Sequence, residues 1–217
     1  ARTERKRRSP PGHGGRGGTE STGSGDVLDR KVTLRDLVKA VEPASVTGAL
    51  NRPVTGIACD SRQVRPGFVF VAVRGTRKDG KSYVPEAVKR GAVAVVSESL
   101  TDTGRPYACV RVADARLAFS RLAATYYGRP ADRLRVIGVT GTNGKTTVCF
   151  MLRDLLAAVG SRPGLIGTIA YEVGERTIPA ARTTPDAAQL HDLLAQMVAA
   201  GCDSAVMEVS SHALDQQ

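Results

Sequence analysis

Residues 136–147 read Val-Ile-Gly-Val-Thr-Gly-Thr-Asn-Gly-Lys-Thr-Thr, and this stretch guides the interpretation of the rest of the chain. The short β-branched run predicts a strand, the glycines predict a tight turn, and residues 148–159 have helical spacing. A glycine-rich turn that opens a helix directs backbone N–H groups and the positive end of the helix dipole at one anion. The stretch therefore predicts a phosphate-binding loop between a strand and a helix.

Two side chains of this loop suit a nucleoside triphosphate. Lys145 supplies a mobile positive charge for the terminal phosphates, and the Thr146 hydroxyl is a ligand for Mg²⁺. We predict that ATP and Mg²⁺ are bound here, with the ATP contacts made by Gly141, Thr142, Asn143, Gly144, Lys145, Thr146 and Thr147. The spacing departs from the general P-loop pattern, since only two residues separate Gly141 from Gly144. The alternative is an ordinary strand-to-helix turn with a surface lysine.

Length and composition describe a globular protein. The 217 residues have room for one large or two ordinary domains, and an apolar fraction of 41% is enough for a core. Because there is no run of eighteen apolar residues and no apolar segment near the start, we expect neither a membrane span nor a signal peptide, and a cytoplasmic location. The four cysteines form no Cys-x-x-Cys pair, which favours small buried side chains over disulfides or a zinc site.

The net charge of +10 is concentrated at the start of the chain. Residues 1–16 hold six Arg or Lys side chains against one Glu, which accounts for half of that charge. Because residues 1–26 are almost without apolar side chains, we expect a disordered basic tail, either a solvated extension or an arm that touches polyanions. The rest of the chain has no zinc-finger pattern and few aromatic residues, so we expect no nucleic-acid partner.

The remaining chain alternates between predicted strands and helices. Before the phosphate loop, helices are expected at 33–41, 85–90 and 115–127, and strands at 54–58, 68–73, 92–96 and 107–112. After it, strands at 164–170 and 205–209 flank a helix at 186–200. The fold class is therefore α/β.

Turn-forming residues at 128–132 mark a domain boundary. We expect one α/β domain over residues 27–131 and a second, built on a parallel sheet, over residues 132–217. Parallel sheets of this kind bind ligands at the carboxyl ends of their strands.

Glu208 stands at the end of the last predicted strand. A carboxylate there lies near Lys145 and Thr146 and can hold Mg²⁺ or its coordinated water. We therefore assign Lys145 and Glu208 as candidate catalytic residues, and Thr146 and Glu208 as candidate metal ligands. The alternative is a half-exposed glutamate at a strand end.

Several motifs occur in an order that resembles the Mur ligase family. They are the loop at 141–147, Thr-Thr-Pro-Asp at 183–186, Glu-Val-Ser-Ser-His-Ala-Leu at 208–214 and, upstream, Asp-Ser-Arg at 60–62 with Pro-Gly-Phe-Val-Phe-Val-Ala at 66–72 and Asp-Gly at 79–80. The resemblance covers almost everything outside the tail. It is greatest for the branch of the family that adds the third residue of the peptidoglycan stem peptide.

The resemblance implies an ATP-dependent amide-bond ligase of bacterial cell-wall synthesis, acting as a cytoplasmic monomer. Its substrate, UDP-N-acetylmuramoyl-L-alanyl-D-glutamate, presents a carboxylate to the γ-phosphate of ATP. A diamino acid, diaminopimelate or lysine, then attacks the acyl phosphate. By motif position the uridine nucleotide contacts the N-terminal domain at Ser61, Thr76, Arg77 and Lys78, and the muramoyl-peptide end contacts Thr183, Thr184, Ser210 and Gln216.

Some interpretations stay open at this point. The chain is alternatively a ligase of the kind that adds the terminal dipeptide, or a non-catalytic nucleotide-binding module. Without the resemblance, residues 60–62 read as a capped turn and residues 183–185 as a helix start. His212 is either a supporting residue of the site or a buried histidine.

The resemblance covers only part of the family's architecture. The sequence holds part of the family's central domain and no counterpart of its C-terminal domain. We therefore expect a fragment without ligase activity of its own, with an open apolar edge on its second sheet.

Overall fold

The computed structural model describes residues 32–75, 79–99, 106–180, 182–211 and 213. Within these residues the chain forms two five-stranded sheets with helices packed on their faces. The predicted α/β class is confirmed. The basic tail, with its predicted disorder, lies outside the described residues.

The first sheet has the strand order β1-β5-β4-β3-β2. Its strands are β1 (Ser45–Thr47), β2 (Gly56–Ala58), β3 (Phe68–Val71), β4 (Ala94–Ser97) and β5 (Ala108–Arg111), and its helices are α1 (Leu34–Val38), α2 (Val84–Lys89) and α3 (Ala115–Tyr126). Strands β2 to β5 are parallel, and β1 joins the edge antiparallel to β5. The structure thus adds β1 to the predicted strands and shortens the others by a few residues.

Alternation along the strands divides the first core into two layers. Val69 and Val71 of β3 face α1 and α3, while Phe70 between them faces α2.

Short polar side chains fix where the helices begin. Thr33 and Asp36 form a capping box at α1, and the Asp114 carboxylate accepts from the first N–H groups of α3.

The second sheet has the strand order β6-β10-β7-β8-β9. Its elements are β6 (Arg135–Val139), α4 (Lys145–Ala158), β7 (Pro163–Ile166), β8 (Ala170–Val173), β9 (Arg176–Pro179), α5 (Ala187–Ala199) and β10 (Ser204–Glu208). Strand β10 lies between β6 and β7 and runs parallel to both, which confirms the predicted parallel arrangement. The carboxyl ends of these three strands therefore meet at one edge of the sheet.

The prediction of one strand over residues 164–170 was wrong. Strand β7 ends at Ile166, where the chain turns back. Strand β8 then pairs antiparallel with β7, and β9 pairs antiparallel with β8 to form a hairpin. The Gly167 N–H closes the first turn on the Ala170 carbonyl at 3.2 Å. Gly174, with a φ of 57°, opens the two-residue hairpin loop that follows, a position typical of glycine.

Helices α4 and α5 cover opposite faces of the second sheet. Val206 of β10 packs with Cys149 of α4, and its neighbours Ala205 and Met207 pack with α5. The same alternation places Glu208 on the α4 face, beside the phosphate loop.

Part of the second sheet is open to solvent. Strand β6 lies at the sheet edge, and Val136 on it is 40% exposed. On α4 the side chains of Met151 and Leu155 are 59% and 63% exposed, and that of Val159, directly after the helix, is 80% exposed. The expected open apolar edge is present in this chain.

The two sheets meet where α3 packs against α5. Ala187 and Ala188 at the start of α5 pack against the core of the first sheet. A short 3-10 turn at Pro130–Arg133 leads from α3 to β6. No helix in the described part of the chain combines the length and apolarity needed to cross a bilayer.

Candidate functional site

The phosphate loop has the conformation that its glycines predict. Gly141 and Gly144 have φ values of 146° and 77°, in the region that strains other residues. The space above Gly144 is open, since an added Cβ would meet no atom within 4 Å. The Lys145 ammonium donates to the Gly141 carbonyl at 2.8 Å, so it lies over the loop. With the N–H groups of the first turn of α4, this makes a cradle for phosphate oxygens.

Glu208 lies beside this cradle and is 1% exposed. Its Oε2 accepts from the Thr146 hydroxyl at 3.0 Å, so Glu208 lies next to Thr146 as expected from its place at the strand end. The half-exposed alternative is wrong for this residue. A buried carboxylate is costly unless it is hydrogen-bonded, and Thr168 provides the remaining donors, with its N–H 2.9 Å from Oε1 and its hydroxyl 3.0 Å from Oε2.

Gly167 makes this arrangement sterically possible. A Cβ at that position would lie 2.8 Å from the Glu208 Oε1. The glycine therefore leaves room for the carboxylate at the end of β10.

The oxygen donors of this site suit a hard cation. Thr146 and Glu208 offer one hydroxyl and one carboxylate, and Mg²⁺ typically takes one or two protein carboxylates together with phosphate oxygens and water. The residues therefore fit Mg²⁺ bound with a nucleotide.

The negative charge of Glu208 also affects a neighbouring thiol. Burial, and then the Glu208 charge, raise the pKa of the Cys149 thiol to about 11.

Three of the predicted muramoyl-peptide contacts lie at the same edge of the sheet. The Thr184 hydroxyl donates to the Glu208 carbonyl at 3.2 Å and accepts from the Ser210 N–H at 3.2 Å. The hydroxyl oxygens of Thr183 and Thr168 are 3.1 Å apart. Asp186 also caps α5 by accepting from the Gln189 N–H at 3.0 Å, so the helix-start interpretation of this segment holds as well.

Ser61 lies in a cleft on the first sheet. It is 4% exposed and donates to Glu86 Oε2 at 2.8 Å. Asp60 caps the turn through the Arg62 N–H at 3.0 Å and forms a 2.7 Å ion pair with its guanidinium. The hydrogen bond from Arg62 lowers the pKa of the Asp60 carboxyl, and that from Ser61 lowers the pKa of Glu86. The segment is thus a capped turn whose serine borders a cleft of about 430 Å³.

A larger cavity of about 520 Å³ lies between the two sheets. It is bordered by Cys59 and Phe119 from the first sheet and by Arg182, Thr184 and Ser210 from the second. Cys59 also borders the Ser61 cleft, so the two spaces adjoin. Burial, and then the Asp186 charge, raise the pKa of the Cys59 thiol to about 11.

Other candidate residues cannot be placed by this structure. Thr76, Arg77, Lys78, His212 and Gln216 lie outside the described residues. Sequence reasoning missed Thr168, Gly167 and Glu86. The signal that points to Thr168 is a polar residue just after an apolar strand. The predicted strand over residues 164–170 included Thr168, so this signal could not be recognised.

None of the four cysteines forms a disulfide, and Cys109, Cys149 and Cys202 are buried, as expected from their spacing. Within the described ranges no cluster of three or more His, Cys, Asp or Glu side chains could hold a metal ion. A single carboxylate with a hydroxyl does not conflict with this, because Mg²⁺ takes most of its ligands from phosphate and water.

Comparison with known families gives two matches along the chain. The model described as "Mur ligase family, catalytic domain" matches residues 53–127, and that described as "Mur ligase middle domain" matches residues 139–217. Together they cover strands β2 to β5 of the first sheet and, from the last residue of β6 onward, strands β7 to β10 of the second.

Curated proteins similar to this chain carry ligase names. A UDP-N-acetylmuramoyl-L-alanyl-D-glutamate--2,6-diaminopimelate ligase of Geobacter sulfurreducens is 45% identical over 184 residues, which are 85% of this chain and 36% of that protein. The enzyme of the same name from Chlorobium phaeobacteroides is 47% identical over 189 residues, covering 84% of this chain and 36% of that protein. The chain thus spans little more than a third of the length of these relatives.

Two solved structures are also similar to this chain. A structure of a UDP-N-acetylmuramoyl-L-alanyl-D-glutamate--2,6-diaminopimelate ligase matches with a TM-score of 0.70 and 30% identity, covering 86% of this chain and 37% of that one. MurF from Acinetobacter baumannii matches with a TM-score of 0.58 and 25% identity, covering 82% of this chain and 36% of that one.

Proposed function

Since this chain belongs to the Mur ligase family, we propose that it forms the part of a MurE-type ligase that binds the uridine-nucleotide substrate and ATP. In this proposal residues 27–131 bind the UDP end of the substrate, and residues 132–217 bind ATP and the peptide end. One observation carries the proposal. Lys145, Thr146, Glu208, Thr184 and Ser210 converge at the carboxyl ends of the parallel strands, next to the cavity between the sheets.

The proposed reaction is the ATP-dependent addition of a diamino acid to UDP-N-acetylmuramoyl-L-alanyl-D-glutamate. The substrate carboxylate attacks the γ-phosphorus of ATP and ADP leaves, which gives an acyl phosphate. The amine of the diamino acid then attacks the acyl carbon, and phosphate leaves as the amide forms. Diaminopimelate is the favoured diamino acid because the similar proteins are named for it.

The residues of this chain contribute positioning and charge rather than a nucleophile. Lys145 and the N–H groups of the loop hold the phosphates, so that the approach of an anionic carboxylate is less opposed by charge. Thr146 and Glu208 are the residues that would hold Mg²⁺. When bound, Mg²⁺ neutralises charge on the phosphate oxygens. Thr184 and Ser210 orient the peptide end towards the phosphates.

The binding of two ligands tests this proposal. Calorimetry on the 217-residue chain should show binding of UDP-muramoyl dipeptide and of ATP with Mg²⁺. Lys145→Ala should weaken ATP binding at least about tenfold, since a charged hydrogen bond to phosphate is lost. Lys39→Ala, a change of an exposed lysine at the end of α1, is the matched control and should bind like the wild type. A chain that bound neither ligand, or bound only nucleic acid regardless of Lys145, would refute the proposal.

The second candidate is a ligase of the MurF type. The match to MurF from Acinetobacter baumannii favours it, but at lower identity and TM-score than the diaminopimelate ligase. The two candidates differ in their nucleotide substrate. Tighter binding of the UDP-muramoyl tripeptide than of the dipeptide would favour the MurF type.

A further inference from the structure

Arg116, in the first turn of α3, borders the cavity of about 520 Å³ between the two sheets. Its side chain is half-buried, and its Nη2 donates to the Arg74 carbonyl at 3.2 Å. In the part of the chain that the structure describes, no carboxylate lies within ion-pair distance of this guanidinium. A charge partly withdrawn from water gains from a partner, and a guanidinium has further N–H groups to donate. Arg116 is therefore suited to an anionic ligand.

The end of helix α3 does not itself offer an anion site. The Asp114 carboxylate accepts from the Arg116 N–H at 2.8 Å and from the Leu117 N–H at 2.9 Å. Glu98 accepts from the Ala115 N–H at 3.1 Å. Because these backbone groups of the first turn already have partners, the positive charge that a ligand can reach is on the Arg116 side chain.

The other charged side chains around the cavity add to this picture. Arg182 borders the cavity from the second sheet, and Asp186 is the carboxylate that borders it. Asp186 already accepts from the Gln189 N–H at 3.0 Å, where it caps α5. The cavity thus has more positive than negative charge on its walls, which favours an anion.

The place of Arg116 indicates which anion that is. Cys59 borders both the cavity and the Ser61 cleft, so a ligand can extend from one space into the other. Arg74, whose carbonyl Arg116 contacts, leads into residues 76–78, the predicted contacts of the uridine nucleotide. Arg116 therefore lies on the nucleotide side of the cavity, opposite the candidate peptide contacts. In the proposed substrate the group between the uridine and the muramoyl sugar is the diphosphate.

We propose that Arg116 binds the diphosphate of the UDP-muramoyl substrate in the cavity between the sheets. The planar guanidinium presents parallel N–H groups, which match two oxygens of a phosphate. Its hydrogen bond to Arg74 holds the side chain in place before the ligand arrives. This inference rests on the proposed function and adds one residue to its substrate site.

Three ligands of increasing size test the inference. Calorimetry on the 217-residue chain, with competition titrations for the weak ligands, compares uridine, UDP and UDP-muramoyl dipeptide. Arg116→Ala should weaken binding of UDP and of the dipeptide about tenfold each, because a charged hydrogen bond to phosphate is lost. Binding of uridine should be unchanged, because uridine has no phosphate. Arg116→Lys should lose less, since it keeps the charge but not the planar fork.

An arginine on the same helix provides the matched control. Arg121 on α3 is exposed, and Arg121→Ala removes the same charge, so it should bind all three ligands like the wild type. Unchanged UDP binding in Arg116→Ala would overturn the inference, even if dipeptide binding fell, because the anion would then belong to the peptide. An equal loss of uridine binding would overturn it too, because Arg116 would then only support the fold. A wild-type chain that bound neither UDP nor the dipeptide would instead overturn the proposed function.

A second measurement starts from the ligand and does not depend on the folding of Arg116→Ala. The wild-type chain is titrated with UDP-muramoyl dipeptide and with an analogue in which an uncharged linker of the same length replaces the diphosphate. The analogue should bind at least about tenfold more weakly. In Arg116→Gln, which keeps a long polar side chain, the difference between the two ligands should be smaller. Equal binding of both ligands by the wild type, or the same difference in wild type and variant, would overturn the inference.

Discussion

The two sheets of this chain are both α/β layers but differ in what their inner strands bury. In the first sheet β4 is buried along its whole length and both faces are covered by apolar side chains. In the second sheet the inner strand β10 ends in a buried carboxylate, and the edge at β6 and one side of α4 stay open. The difference indicates that the first sheet mainly supplies stability, while the second places polar groups where a ligand can reach them.

The largest expected effect is on the free energy of unfolding, and it is tested by a leucine-to-alanine substitution in each of the two regions. Leu122 on α3 is 1% exposed and Leu155 on α4 is 63% exposed. Leu122→Ala should lower the free energy of unfolding by about 2–5 kcal/mol, because it leaves a cavity in the core. Leu155→Ala should change it by less than about 0.5 kcal/mol. Urea unfolding followed by circular dichroism measures both, and equal losses would contradict the assignment of stability to the first sheet.

A pair of glycines separates backbone strain from ligand binding. Gly144 in the phosphate loop and Gly160 after α4 have φ values of 77° and 87°, and an added Cβ meets no atom within 4 Å at either. Alanine at each position should lower the free energy of unfolding by about 1 kcal/mol through backbone strain alone. Only Gly144→Ala should also weaken binding of ATP with Mg²⁺ in calorimetry. A similar loss of ATP binding in Gly160→Ala would show that strain, and not loop geometry, is responsible.

The smallest expected effect concerns the reactivity of the Cys59 and Cys149 thiols. It does not involve the free energy of unfolding. The pKa values of Cys59 and Cys149 are both raised to about 11, but Cys149 is fully buried and Cys59 borders the cavity between the sheets. Since iodoacetamide reacts with the thiolate, Cys59 labelling should be slow at pH 7 and rise about tenfold per pH unit towards pH 10. Cys149 should stay unlabelled in the folded chain, as mass spectrometry of the digested protein can establish.

The neighbouring charge gives the control for this thiol. Asp186→Asn removes a negative charge near Cys59 and keeps a side chain that caps α5. Labelling of Cys59 should become faster in this variant. Labelling of Cys149 as fast as Cys59 would contradict the burial difference between the two regions.

Most of the secondary structure follows from local patterns. Apolar runs located β3, β4, β5 and β10, and Thr33, Asp114 and Asp186 mark helix starts because their side chains satisfy the first N–H groups. The hairpin of β8 and β9 was missed. Residues 164–170 look like one apolar strand, and the turn that divides them is seen only in the structure, where the Gly167 N–H donates to the Ala170 carbonyl and the Thr168 N–H donates to Glu208.

The sequence by itself determined the phosphate loop and the carboxylate that faces it. Glycines with positive φ and a helix start directly after them are local requirements, and strand periodicity places Glu208 on the α4 face. Only the tertiary structure decided what surrounds them. Thr168 reaches Glu208 across 40 residues of sequence and Glu86 reaches Ser61 across 25. Contacts at such separations depend on how the sheets bring strand ends together, and no local pattern records that.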